Sequence, residues 1–351
     1  VSDVPSLTPR YAPQPEGVAW PGAEWPRAEG SEELARVVEE AFTAPELAIT
    51  QAVVVVRGGR VIAERYGGEV PFFDRPPEPV TADTTLLSWS MAKSMLHFVI
   101  GTLVDEGRLD PDQAAPIAEW DDPDDPRRAI RIADMLAMRD GLGWIENYVI
   151  GERSDVVEML FGEGQDDVAG YAAAVHALHP PGAHFNYSSG TSNLLSRVVA
   201  GLVGRGGAYE SFLRHRLFDP LGMTSATPKL DATGVWVAST FVHATALDFA
   251  RFGVLYLRGG EWDGRQLVSR RWTDTAQRPL SVDPESGHLY SWHWYVTGDE
   301  FGTYWASGYE GQMINVVPAL DAVVVRLGRS PEENWPARDE WRGRVLDALA
   351  R

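Results

Sequence analysis

Apolar residues recur every three or four positions behind Ser31, at Leu34, Val37, Val38 and Phe42, with acids in the first turn. That spacing predicts a capped helix burying one face. The period then changes. "QAVVVVRGGRVIAERYG" (51–67) is two β-branched runs around Gly58-Gly59, a hairpin signal. Its first run is apolar on both faces and reads as an inner strand. The second alternates, which puts Val61 and Ala63 on one side and Arg60, Ile62 and Glu64 on the other. From about Asp105 to Ala244, Pro-rich turns separate helical patterns such as "AIRIADMLAMRDG" and "TSNLLSRVVAGLVG". "TALDFARFGVLYLRGG" is a further helix, stopped by its glycines. Strands return past Gly287 in "LYSWHWYV", "TYWASG", "MINVVP" and "AVVVRLG", and "NWPARDEWRGRVLDALAR" closes the chain as an amphipathic helix. Trp292 and Trp294 would share one strand face and pack in the core.

Strands at both ends with helices between them predict an α+β fold, in which one antiparallel sheet is flanked by the terminal helices and carries an inserted, mainly helical lobe. The expected organisation is an extended arm over 1–30, an α/β lobe from 31–104 and 245–351, and a helical lobe over 105–244. The cleft between the lobes is the natural site.

Composition narrows the function classes. The 351 residues carry a formal charge of −19, which repels nucleic acid and anionic membranes. There is no cysteine, so disulfides, thiolate metal sites and cysteine nucleophiles are excluded together. The longest mainly apolar run, Met95 to Val104, is too short for a membrane span. The first residues lack a basic start and an apolar core, so no signal peptide is read; a cytoplasmic location is expected, with a removed leader left open. A homodimer also stays open.

The chemistry concentrates around one residue. Of 31 basic residues only Lys93 and Lys229 are lysines, and Lys93 follows Ser90 by three positions in "TTLLSWSMAKSMLHFVIGTLVDEG". On a helix that spacing puts Ser90 and Lys93 on one face, whereas Ser88 and Ser94 point elsewhere. A serine hydroxyl needs a base to become a nucleophile. An amine serves only when neutral, so its pKa must fall from about 10.4 toward neutrality, which burial can achieve. Arginine cannot do this, which is a reason for a lysine here. The bland alternative is a lysine snorkelling from a helix end with Ser90 as a mere cap.

Two more stretches bear on the choice. "HFNYSSGTSNLLSRV" puts Tyr187, Ser188 and Ser189 in a polar turn before a helix, and "YWASGYEGQMINVVP" puts Ala306-Ser307-Gly308 at a strand end before a Gly-rich turn. With these in order, residues 50–330 resemble the penicillin-recognising serine hydrolases, and within them the branch of class C β-lactamases, class VIII esterases and 6-aminohexanoate-dimer hydrolases. The resemblance implies Ser90 as nucleophile, Lys93 as its base and Tyr187 as the proton shuttle to the leaving group. It implies an oxyanion hole from the backbone N–H groups of Ser90 and Tyr309, and substrate contacts from Ser189, Ala306, Ser307 and Gly308. Tyr148, in "GWIENYVI" with Trp144 and Glu146, falls where relatives carry a substrate flap. Ala306 stands where the family has Lys or His, and Ser189 where many relatives have Asn. Both departures weaken β-lactam recognition, unless Arg57 or Arg139 supplies the missing charge.

The expectation is therefore a serine hydrolase forming a covalent acyl-enzyme on a small amide or ester, with no metal and no cofactor. The alternatives are a β-lactamase or D-alanyl-D-alanine carboxypeptidase and, from another class, a catalytically silent ligand-binding domain of the same fold. His176, His179 and His184 lack the fixed carboxylate of a zinc site, and neither HExxH nor GxSxG occurs.

Overall fold

The computed structural model describes residues 4–71, 74–149 and 151–351. The first residues of the arm and Ile150 of the flap stretch therefore lie outside the described residues. Helix α1 (Glu32–Thr43) starts at Ser31, whose side chain accepts from Leu34 N. Strands β1 (Ile49–Arg57) and β2 (Arg60–Tyr66) form the hairpin, and Gly58 and Gly59 both take the positive φ that its tight turn requires. Helix α2 (Met91–Asp105), α3 (Ser189–Val203) and α4 (Ala246–Leu257) follow. Then come β3 (Ser281–Val282), β4 (Leu289–Tyr290), β5 (Tyr295–Val296), β6 (Tyr304–Gly308), β7 (Gln312–Val317), β8 (Ala322–Arg329) and α5 (Trp335–Ala350).

Eight strands make one antiparallel sheet in the order β3-β4-β5-β6-β7-β8-β1-β2, with β1 inside it as its apolar run requires. Alternation sorts β1 between two cores. Val53 and Val55 pack with Leu34, Val37 and Val38 of α1 and with Trp341, Val345 and Leu349 of α5. Val54 and Val56 pack with Phe98 and Val99 of α2 and Phe249 and Phe252 of α4. The terminal helices thus cover one face and α2 and α4 the other. Residues 4–30 have almost no regular structure and are tied down by α4 and the residue after it: Arg251 donates to Pro21 O, and Arg258 to Ala12 O. Among the described residues no helix is long and apolar enough to cross a membrane.

Three local expectations are corrected. In β2 the register shifts: Val55 pairs with Ala63 but Val56 with Val61, so Ile62 is extra. This bulge sends Val61 to the α2/α4 core while Ala63 joins the α1/α5 core, and they do not share a face. "LYSWHWYV" is not one strand but the hairpin β4–β5, closed by Ser291 N donating to Trp294 O, with His293 at φ 55°. Trp294 is buried against Tyr256, while Trp292 packs on Trp272. The helix in "AIRIADMLAMRDG" covers only Ile132–Leu136, because Met138 turns left-handed at φ 55°.

Candidate active site

Three segments converge on Ser90. The first is the turn entering α2. Ser88 is clamped by its N–H to Val242 O (2.8 Å) and its hydroxyl to Thr240 O (2.9 Å). Trp89 takes φ 46°, an unfavourable value for a large side chain, and Ser90 ends the turn half-buried. Ser90 makes no side-chain cap for α2, as a plain N-cap serine would. Its Oγ instead meets Lys93 Nζ at 2.8 Å, and the Ser90 hydroxyl lies near enough to the Tyr187 phenol to lower its pKa slightly against the larger effect of burial.

Lys93 does not snorkel. It is 2% exposed, and Nζ also donates to Ser189 Oγ and to Ser239 O, both at 3.0 Å. Burial lowers its pKa to about 8, against an opposing pull from the Glu146 carboxylate. Its Nζ lies 4.9 Å from the centre of the Tyr187 ring. Burial pushes the Tyr187 phenol well above its ordinary range, and the Glu146 charge adds to that. Beneath Lys93, His293 Nδ1 faces Lys93 O, and burial with the nearby amine lowers that imidazole's pKa to about 3.

The second segment enters α3. Ser188 is its cap, accepting from Thr191 N, which leaves Tyr187 in irregular chain just ahead of the helix. The third is the end of β6. A Cβ on Gly308 would lie 2.5 Å from Ser88 O, so glycine is what lets this strand run against the Ser90 turn. β6 stops pairing at Gly308–Gln312, and Tyr309 follows at the start of a turn containing Glu310 (φ 58°) and Gly311 (φ 83°). The N–H of Ser90 lies ahead of the α2 ladder.

Ser90, Tyr187, Tyr148, Ser307, Gly308 and Tyr309 line a cavity of about 500 Å³. The Tyr148 ring stacks on Tyr309 at 4.3 Å between centroids. Two expected substrate residues are elsewhere. Ala306 is fully buried in the α2/α4 core, because alternation along β6 turns Trp305 and Ser307 to the cavity and Ala306 away. Ser189 is fully buried behind Lys93 and does not reach the cavity. Neither Arg57 nor Arg139 lines it; the arginine in its lining is Arg338, which is bonded to Asp339, as is the His288 imidazole.

Glu146, to which the sequence assigns no role, belongs to the site. Glu146 accepts from Ser189 N (2.9 Å) and Trp144 Nε1 (2.6 Å) on one carboxylate oxygen, and from Ser189 Oγ (2.6 Å) and Tyr148 OH (3.1 Å) on the other. The sequence signal for it was an acid inside an aromatic loop, which does not specify a partner. His176, His179 and His184 border a different cavity. Among the described residues no three His, Asp or Glu side chains are grouped to hold a metal ion.

Known proteins resemble this chain along most of its length. The chain is 30% identical over 336 residues to the 6-aminohexanoate-dimer hydrolase of Paenarthrobacter ureafaciens, covering 86% of this chain and 79% of that one. Its fold superposes on a Bacillus anthracis protein provisionally named 6-aminohexanoate-dimer hydrolase (TM-score 0.75, 19% identity, 98% of this chain and 90% of that one). A penicillin-binding protein homologue from Caulobacter crescentus gives a TM-score of 0.71 at 20% identity, over 92% and 99% of the two chains. The Beta-lactamase family pattern matches residues 37–349, a span that takes in Ser90, Lys93, Tyr187 and the turn at Tyr309, and the chain belongs to that family.

Proposed function

We propose that this protein is a serine hydrolase that cleaves a small amide or ester through an acyl-enzyme on Ser90. The observation that carries the reading is the contact between Ser90 Oγ and the buried amine of Lys93 at 2.8 Å. With a pKa lowered to about 8, Lys93 is neutral in a useful fraction near neutrality and remains basic enough to take a proton. Tyr187 is unsuited to be that base, because burial disfavours its phenolate.

In this reading Ser90 Oγ attacks the substrate carbonyl as its proton passes to Lys93 Nζ. The oxyanion is received by the N–H groups of Ser90 and Tyr309; removing a donor of this kind typically costs about 3 kcal/mol. Tyr187 gives its proton to the departing nitrogen or oxygen and is reprotonated from the Lys93 ammonium. Water then attacks the acyl group, and the same groups return the protons in reverse.

The relative at 30% identity is named for hydrolysis of an amide, which supports an amide or ester substrate here. The cavity lining supports a substrate other than an anionic β-lactam. It carries Glu146, Asp283, Glu285, Glu332 and Asp339, and its one arginine, Arg338, is engaged by Asp339. Burial and, after it, the charges of Asp283, Glu332 and Glu146 raise the Glu285 pKa.

The test is a fluorophosphonate probe with peptide mapping, joined to rates on p-nitrophenyl esters, nitrocefin and a linear aminohexanoate dimer. Labelling at Ser90, its loss in Ser90→Ala and turnover of ester or amide are expected. Labelling at Ser88 or Ser94, or no turnover of any ester or amide, would reject the reading.

A further inference from the structure

Glu146 touches neither Ser90 nor Lys93, yet it decides what Ser189 can offer to Lys93. The Glu146 carboxylate only accepts, so the hydroxyl proton of Ser189, 2.6 Å away, is committed to it. Ser189 Oγ can then only accept from Lys93. Ser239 O, the other fixed partner of Nζ, is a carbonyl and also only accepts. A neutral amine has two N–H bonds and one lone pair. With two acceptor-only neighbours holding the protons, the lone pair is left facing Ser90 Oγ.

We propose that Glu146 is a positioning residue of the hydrolytic site, which by taking the Ser189 proton aims the free lone pair of Lys93 at Ser90. The inference rests on Lys93 being the base. It gives Glu146 a function through hydrogen-bond polarity, apart from its charge, which on its own works against a neutral amine.

Charge and polarity separate in Glu146→Gln. The oxygen that now accepts from Ser189 N and Trp144 Nε1 faces two obligate donors, so the introduced amide must keep its oxygen there. Its NH₂ then faces Ser189 Oγ and Tyr148 OH, both of which can accept. Ser189 becomes an acceptor from the amide and turns its own proton toward Lys93, where it competes with Ser90 for the lone pair. Size and shape hardly change.

The groups facing Lys93 that titrate are Glu146, Tyr187 and His293, and the last two are neutral through the working range. Losing the Glu146 charge therefore moves the acid limb of the pH profile to lower pH. The polarity effect instead lowers the alkaline plateau.

The experiment follows first-order fluorophosphonate labelling of Ser90 against pH, a rate constant independent of the amount of active protein. It is run on wild type, Glu146→Gln, Ser189→Ala and the double variant. Glu146→Gln should lower the plateau at least about tenfold, a modest share of what general-base assistance supplies, and should also shift the limb to lower pH. The double variant should be no slower than Ser189→Ala alone, because without the Ser189 hydroxyl nothing competes for the lone pair. Should Glu146→Gln not fold, Glu146→Met, which frees the same Ser189 proton, carries the same expectations. A limb shift with an unchanged plateau, or losses that multiply in the double variant, would overturn the role of Glu146 and leave the acyl-enzyme reading standing. Wild-type labelling away from Ser90 would overturn both.

Discussion

The rings of Tyr148 and Tyr309 lie face to face, 4.3 Å between centroids and 23° from parallel. One belongs to the loop that carries Glu146, the other to the turn that would present an oxyanion donor. Offset stacks of this kind add about 0.5–1.5 kcal/mol beyond burial. Tyr148→Ala should lower kcat/KM for a short ester by up to about tenfold, in line with that energy, with a rise in KM from the opened cavity wall. Tyr148→Phe keeps the stack and should retain most of the activity. Steady-state rates on both variants decide; equal losses would mean that the hydroxyl contact to Glu146 matters more than the ring.

The pH dependence of kcat/KM should rise through a limb near pH 8, because only the neutral amine accepts the Ser90 proton and burial sets that pKa at about 8. A profile flat from pH 6 to 10 would remove Lys93 from the role of base.

Stability should record the same group. The folded-state pKa of Lys93, about 8, lies below the unfolded value, so folding carries a penalty that is complete below about pH 8. Between there and about pH 10.5 the unfolded chain holds the extra proton, and stability rises with pH. Relative to Lys93→Met, the wild type should gain about 3 kcal/mol across that interval, the equivalent of the shift from 10.5 to about 8. Urea melts of the two proteins at pH 7 and pH 10 capture most of the difference, and Lys93→Met should be inactive at both.

Gly308→Ala should damage both fold and rate. Its Cβ would sit 2.5 Å from Ser88 O, so β6 must retreat from the Ser90 turn and carry Tyr309 with it. Overpacking of this kind costs about 1–3 kcal/mol. A thermal melt and an ester assay should both fall; an active, wild-type-like variant would mean that the strand end is looser than its contacts indicate.

Ala306→Lys should not create a site for a substrate carboxylate, since the side chain points into the α2/α4 core. It should destabilise the protein by more than about 3 kcal/mol through an unpaired buried charge. Nitrocefin turnover measured on any folded material should not improve. A cation meant for the cavity belongs at 307.

The hairpin, the inner position of β1 and the sheet with its covering helices were legible because burial imposes a period on the sequence. So was the pairing of Ser90 with Lys93, which one helical turn enforces. Four features were not read there. The bulge at Ile62 and the tight turn at His293 are left-handed or unpaired backbone without the Gly that would advertise it. The orientation of Ala306 was available from alternation along Trp305-Ala306-Ser307, but the motif comparison placed it at the substrate instead. Glu146 meets Ser189 from 43 residues away, through a loop with no periodicity, and only the packed chain brings them together.

The carboxylates around the cavity mouth also govern how molecules arrive. An acidic rim on a chain of net charge −19 sets up a long-range field that draws ammonium-bearing esters inward and turns carboxylate-bearing ones away before any contact forms. Raising ionic strength shortens the reach of that field, from about 10 Å at 0.1 M to about 3 Å at 1 M. Added salt should therefore slow capture of cationic esters and speed that of anionic ones, leaving uncharged esters as the salt-insensitive baseline.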